Sequence, residues 1–447
     1  MSDYDLVLRG GTIVTPERIE RGDIAIGDGA ITAIGAVKGS GRDEVDARDL
    51  HVFPGYLDAH VHFNEPGRAH WEGFETGSRA LAAGGGTLFF DMPLNSIPPT
   101  VTADAFDRKL ETAGKKSLVD FCLWGGLVPG NLDQLGALHA RGVIGFKAFM
   151  TESGVEEFPA VNHKQLREGM KRAAQLGAIV AVHAEWPAFL RRPPLERKTV
   201  RDFLESRPVK AEHEAIRVAL EIAGETGCAL HVVHVSAGSS VELISQAKSK
   251  GVNVTCETCP HYLLLTDRDM EKLGAVAKCA PPLRGGTERE MLWEQLRKGA
   301  IDFIASDHSP SPWELKDKAD FFQAWGGISG CQHAFPLFLS EAHHRCGFDL
   351  KQIARQTSAN VAVRFRLGPQ KGRIAVGADA DLTLVRLDEE FTVHAEDLLY
   401  RHRHSPYLGR KIRGKVLRTM LRGRTVFADG KIVSQPAGRL VKATRQP

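Results

Sequence analysis

Apolar positions follow one pattern at the two ends of the chain and another in the middle. Near the start, Leu6 and Leu8, then Ile24, Ile26, Ile31 and Ile34, alternate with small or polar residues, and Asp28-Gly29 reads as a hairpin turn. Near the end, residues 380–387 (ADLTLVRL) alternate likewise, and Asp429-Gly430 separates the short runs 425–427 and 431–433. Neither end is large enough to enclose a core alone. Both are expected to meet in one small β-sandwich domain, 1–52 plus 366–447, around an inserted domain, 53–365. In that middle, short apolar runs recur eight times, at 51–62, 87–92, 119–127, 143–149, 178–183, 229–235, 252–256 and 301–306. Helical patterns lie between several of them. Ala215, Ile216, Val218, Ala219 and Ile222 form one apolar face stopped by Gly227; Val241, Leu243, Ile244 and Ala247 form another, stopped by Gly251. Eight strands alternating with helices predict an α/β chain built on a parallel (β/α)8 TIM barrel, whose chemistry belongs at the C-terminal ends of the strands.

Those ends carry ligand-type residues. The first run closes on DAHVHF, placing His60 and His62 on one face of a strand. Lys147 lies in the fourth, His183 ends the fifth, His234 the sixth, and Asp307 follows the eighth. Singly, each has an ordinary explanation: a hydrogen-bonded loop histidine, a capping aspartate, a lysine reaching to water. Jointly, six such residues at one end of a repeating pattern point to a metal centre. Lys147, inside the apolar run GVIGFKAFM, is the odd member, because a buried ammonium is costly. A neutral amine in a dry site can add carbon dioxide, giving a carbamate whose two oxygens can bridge two ions. His60, His62 and Asp307 would complete one ion, His183 and His234 the other, with Asp307 also placed to move a proton during hydrolysis.

Composition narrows the class. The 447 residues are 43% hydrophobic and 25% charged with net charge +3, ordinary for a globular protein and too weakly basic to suggest nucleic acid or membrane binding. No apolar stretch is long enough to span a membrane, and the N-terminus has no signal-like pattern. Seven scattered cysteines do not form a disulfide framework, so a cytoplasmic location is expected.

The set DAHVH, Lys147, His183, His234 and Asp307 resembles the amidohydrolase superfamily, in its cyclic-amidase branch of dihydroorotases, hydantoinases (dihydropyrimidinases) and allantoinases. EPGRAHWEGFETGSRA, MPLNSIPPT, GFKAFM, CPHYL, KCAPPLR, SDHSP, AWGGISG and YRHRHSPYLGRKI look like allantoinases and cover nearly the whole chain. That resemblance implies hydrolysis of the cyclic amide of allantoin to allantoate. It also implies two divalent ions, zinc first with cobalt or manganese as alternates, bridged by carbamylated Lys147, and a homotetramer. Substrate contacts are implied through main chain at Ala280 and Gly326, with Asn95 and Arg68 on the substrate side; Arg68 could equally pair with Glu65 or Glu72. Dihydroorotases resemble H-x-H-x-R where this chain has Asn64, and hydantoinases carry a tyrosine after the lysine strand where this chain reads MTESG. A broader hydantoinase-like activity and a non-catalytic scaffold remain as alternatives. Segments 310–326 and 152–161 are candidate lids. Cys256 and Cys259, His231, His261 and Asp58 are read as packing or supporting residues.

Overall fold

The computed structural model describes residues 2–191 and 198–444. The chain opens with β1 (Tyr4–Val14), β2 (Ile19–Gly27), β3 (Ala30–Gly35), β4 (Gly41–Asp46) and β5 (His51–Pro54). Asp28 and Gly29 take φ of 53° and 79°, the left-handed pair that a tight hairpin between twisted strands requires. Then come β6 (Tyr56–Val61), β7 (Gly86–Asp91), β8 (Asp120–Leu123), β9 (Gly125–Gly126), β10 (Phe146–Phe149), β11 (Ile179–His183), β12 (Ala229–Val232), β13 (Val254–Thr258) and β14 (Phe303–Ile304). The chain finishes with β15 (Leu382–Thr392), β16 (Lys411–Leu421), β17 (Arg424–Ala428) and β18 (Lys431–Ile432).

Strands from both ends form one nine-stranded sheet, in the order β18-β17-β16-β15-β5-β1-β2-β3 with β4 beside β1. The ends meet where β15 runs antiparallel to β5, Leu382 opposite Pro54. Alternation buries Leu6, Leu8, Ile24, Ile26 and Ile31 against Leu382, Leu384 and Met420, the core of the sandwich.

β6 to β14 pair in parallel as β6-β7-β8 and β9-β10-β11-β12-β13-β14. All eight expected barrel strands are present, two of them with a different form. The run 51–62 is two strands: β5 belongs to the sandwich and β6 to the barrel. The third strand is broken at Trp124, so β8 pairs with β7 and β9 with β10. Closure between the last strand and the first rests on irregular backbone. His62 N–H donates to the His308 carbonyl at 2.7 Å, and the Asp58 carboxylate accepts from Ser306 N–H at 2.9 Å and His60 N–H at 3.3 Å. Asp58 is thus a strand-to-strand tie, and burial pushes its carboxyl up to about 7.

Barrel strands are buried on both faces, which explains their unbroken apolar runs. Leu57, Leu88, Phe90, Trp124, Ala181 and Phe303 fill the interior, closed below by Phe365 and Leu367. Outside, helix Val209–Thr226 buries the expected face and stops at Gly227, φ 68°. One difference concerns the tail. Phe121 N–H donates to the Arg439 carbonyl and Val441 N–H to that of Phe121, so residues beyond β18 run along β8 rather than staying with the sandwich. Asp120 fixes them there. It accepts Arg439 N–H at 2.8 Å, receives Arg422, and shares the Lys371 ammonium with Asp379 and Asp381 at 2.6–2.8 Å.

Candidate active site

Period-two alternation aims the site residues. In β10, Phe146 and Ala148 join the outer core while Lys147 and Phe149 face the interior. In β11, His183 continues the inward row of Ile179 and Ala181. His234 and Asp307 lie just past β12 and β14 in left-handed backbone, φ 39° and 46°, where the chain turns sharply out of the strand. Asn64 and Asn95, at φ 63°, do the same on neighbouring loops. Sparsely populated backbone of this kind gathers where a site demands it.

The six sequence-selected side chains converge. His60 Nε2 and His62 Nε2 lie 3.2 and 3.4 Å from Asp307 Oδ1, and the three ligand atoms all fall within 4.8 Å of one another. His183 Nδ1 is 3.1 Å from His234 Nε2, and the rings of His60 and His234 are 5.3 Å apart. Lys147 is fully buried, with Nζ 5.0 Å over the Phe149 ring and no hydrogen-bond partner among the described residues. Burial lowers the pKa of His60, His183 and His234, with Lys147 adding to the effect, so these imidazoles are held neutral, the form that binds metal. Burial also brings Lys147 down to about 7, against the pull of Asp307 and Glu257. Nitrogen and carboxylate donors at this spacing, with an orphaned buried amine, fit divalent metal. The cluster of Asp120, Asp379 and Asp381 is different, because Lys371 already supplies its cation.

Two carboxylates that sequence reasoning did not single out hold the imidazoles. Glu257, on β13, meets His60 Nδ1 at 2.6 Å and His231 Nε2 at 3.1 Å. Burial pushes its carboxyl up to about 8. Glu185 meets His183 Nε2 at 2.8 Å and is paired with Arg207; against burial, Arg207 and His183 hold its carboxyl down to about 2. Such partners fix which ring nitrogen faces a metal. The signal for Glu257 was present: Glu257 is a carboxylate within a short strand of the buried barrel. His231 stacks on Phe303 at 4.9 Å within the interior, a packing residue with a hydrogen-bonding role.

Above the cluster opens a cavity of about 440 Å³ with His60, His62, His183, His234 and Asp307 in its lining, a size suited to a small molecule. Ala280, Gly326 and Asn95 also line it. The main-chain groups of Ala280 and Gly326 make no hydrogen bond among the described residues. Arg68 is not part of the lining. Its guanidinium donates to the Asn95 carbonyl and to Glu157, both at 2.8 Å, and lies over Trp71, so it supports Asn95; the expected pairing with Glu65 or Glu72 gives way to Glu157. Both candidate lids reach the cavity, through Glu152 and Trp325, whereas Trp313 points outward onto His404. Asn64 is buried and donates to the Pro310 carbonyl at 3.3 Å.

Among the described residues, no helix is long and apolar enough to cross a membrane. Residues 51–426 match the amidohydrolase family model. An allantoinase of Rubrobacter xylanophilus is 53% identical over all of this chain and 99% of its own length, and one of Deinococcus radiodurans is 51% identical over 98% of each. Among solved structures, an L-hydantoinase (dihydropyrimidinase) from Arthrobacter aurescens superposes with TM-score 0.95 at 36% identity, covering 98% of this chain and 100% of its own. With its ligand-type residues gathered at the barrel mouth and a family match spanning most of its length, the chain belongs to the amidohydrolase family.

Proposed function

We propose that this protein opens the five-membered ring of allantoin to allantoate. The observation that carries the reading is the convergence of His60, His62, His183, His234, Asp307 and an unpaired, buried Lys147 beneath one small-molecule cavity. Full-length identity to allantoinases supports the choice of substrate. So does a neutral asparagine at 64, since a substrate without a carboxylate needs no arginine there.

Two divalent ions, zinc in the first instance, would be held by those residues with Lys147 as a bridging carbamate; bound, they supply polarisation of the ring carbonyl and acidification of water. Lys147 suits that modification because burial leaves much of its amine neutral near pH 7. Carbon dioxide adds at Nζ, a nitrogen–carbon bond forms, and one proton is released. Asp307, at the cavity floor, accepts the proton of the attacking water and returns it to the ring nitrogen as the carbon–nitrogen bond breaks. Main-chain groups of Ala280 and Gly326 would orient the ring amide, with Asn95 beside them and Arg68 behind it. The family also leads us to expect a homotetramer in the cytoplasm.

Purified, metal-loaded protein with bicarbonate should be tested on allantoin, hydantoin, dihydrouracil and dihydroorotate side by side. Preferred turnover of allantoin supports the proposal. Preference for hydantoin or dihydrouracil, the second reading suggested by the hydantoinase likeness, would overturn the substrate and keep the chemistry. Absence of both turnover and metal would mean a scaffold.

A further inference from the structure

Two buried lysines outside the metal cluster converge on one cavity loop. Lys278 Nζ donates to the carbonyls of Phe321 at 2.7 Å, Phe322 at 3.1 Å and Ala324 at 2.6 Å. Lys316 Nζ donates to those of Ala275 at 3.1 Å, Trp325 at 3.0 Å and Gly327. An ammonium has three donors, and here each finds three acceptors. Between them the two lysines take the carbonyls of residues 321, 322, 324, 325 and 327, on both sides of Gly326. Gly326 itself is left with its main-chain N–H and carbonyl unpaired among the described residues, in the cavity wall. A Cβ placed on Gly326 would meet the stem of Lys278 at 4.0 Å, so that stem lies directly behind it. The Lys278 carbonyl also accepts Gly327 N–H at 2.8 Å, tying the loop to the segment that leads into Ala280.

Carbonyl groups in a loop ordinarily turn to water. Here the neighbours of one glycine are turned inward onto two lysine Nζ groups, while the glycine's own groups are left unpaired at the cavity wall. We propose that Lys278 and Lys316 are positioning residues: together they set the main-chain shape of loop 321–327 so that Gly326 presents its polar groups to the substrate ring. The proposal rests on the reading above in one respect, that a ring amide binds at Gly326. Neither lysine touches a reacting atom. The device acts on ring binding, so it should affect every cyclic amide this protein opens, whatever its substituent.

The test uses the full-length, metal-loaded protein with Lys278→Met and Lys316→Met, which keep an apolar stem and remove the Nζ donors. Expected are unchanged metal content and, at temperatures well below unfolding, a KM raised about tenfold for allantoin and for any second ring substrate alike, with kcat within about threefold, the pattern of lost uniform binding. Amide hydrogen exchange should accelerate at 321–327 and stay as in the wild type at the metal strands. Lys278→Gln, which keeps two N–H donors on a side chain one atom shorter, should fall between wild type and Met. Unchanged KM and unchanged exchange in that loop would overturn the proposal. So would a loss confined to kcat with metal released, and so would variants that fail to fold, since a device local to the loop leaves the body intact. If the wild type ignores allantoin, the substrate reading fails separately, while the exchange measurement, which needs no substrate, still decides this one.

Discussion

Glu257→Gln offers a sharp test of how the protein prepares His60. For His60 Nε2 to face a metal, Nδ1 must carry the proton and donate it to Glu257, 2.6 Å away. His231 Nε2 lies 3.1 Å from the other oxygen, and His231 Nδ1 is 2.9 Å from the Thr255 hydroxyl. A glutamine can keep its carbonyl on His60 and turn its amide to His231. His231 then switches tautomer and donates from Nδ1 to Thr255. No buried group loses a partner, so the melting temperature should change little. What is lost is the carboxylate that Glu257 can supply once a cation bound beside His60 offsets the burial that otherwise raises its carboxyl to about 8. Removing such a partner weakens metal binding by about 10- to 100-fold, or about 1.4–2.8 kcal/mol. Glu257→Leu, by contrast, leaves one ring nitrogen of each of two buried imidazoles unpaired, about 1–3 kcal/mol each, and should lower the melting temperature clearly. The assay is competition for metal against a calibrated chelator at pH 7, alongside thermal unfolding. Equal metal affinity in wild type and Glu257→Gln would refute the reasoning; so would strong destabilisation by Gln.

Lys147→Ala should reduce the bound metal below two ions per chain and abolish ring opening; full metal content with full activity would refute the carbamate. Asp307→Asn should fold and lose about 10²- to 10⁴-fold in kcat, followed by steady-state turnover of allantoin. Glu185 has a depressed carboxyl, from 4.5 to about 2, so its stabilisation is present above the higher value and fades as pH falls towards the lower. Between those values the melting temperature of the wild type should therefore drop more steeply with acid than that of Glu185→Gln; parallel curves would exclude this pairing as the source. Arg68→Gln removes one hydrogen bond to the Asn95 carbonyl, and KM should rise about fivefold, about 1 kcal/mol, with kcat unchanged.

The barrel was legible because most of its strands obey one simple rule: buried on both faces, they are largely apolar, and a lysine, histidine or aspartate at their ends stands out. Lys147 was visible for that reason. Glu257 was hidden because TCETC invites attention to its cysteines, and its role depends on which strand lies beside it. Glu185 follows a histidine already assigned, and only the fold brings Arg207 to it. Periodicity could not show that 51–62 serves two sheets, since β5 and β6 are alike in pattern and differ only in partners. Another hairpin, at Arg422-Gly423, carries no Asn-Gly or Asp-Gly signature. Arg422 is held at φ 47° by Asp381, which accepts its N–H at 2.7 Å, and by Asp120, residues remote in sequence. Arg68 shows the same limit from the other side: its charge was plain, but its partner Glu157 is brought near only by the fold.

The joining of the two chain ends has a consequence for how the protein is made. β5 cannot acquire its β15 neighbour, nor Asp120 its Lys371 and Arg422 partners, until most of the polypeptide has left the ribosome. During that interval the early strands β1 to β5 offer an unpaired edge to any other nascent strand. Residues 382–421 act as a late clasp, and contacts this distant in sequence form slowly. Overproduction that outpaces the clasp should therefore yield aggregates built on the N-terminal strands, and slower synthesis at lower temperature should recover soluble protein without any change in sequence.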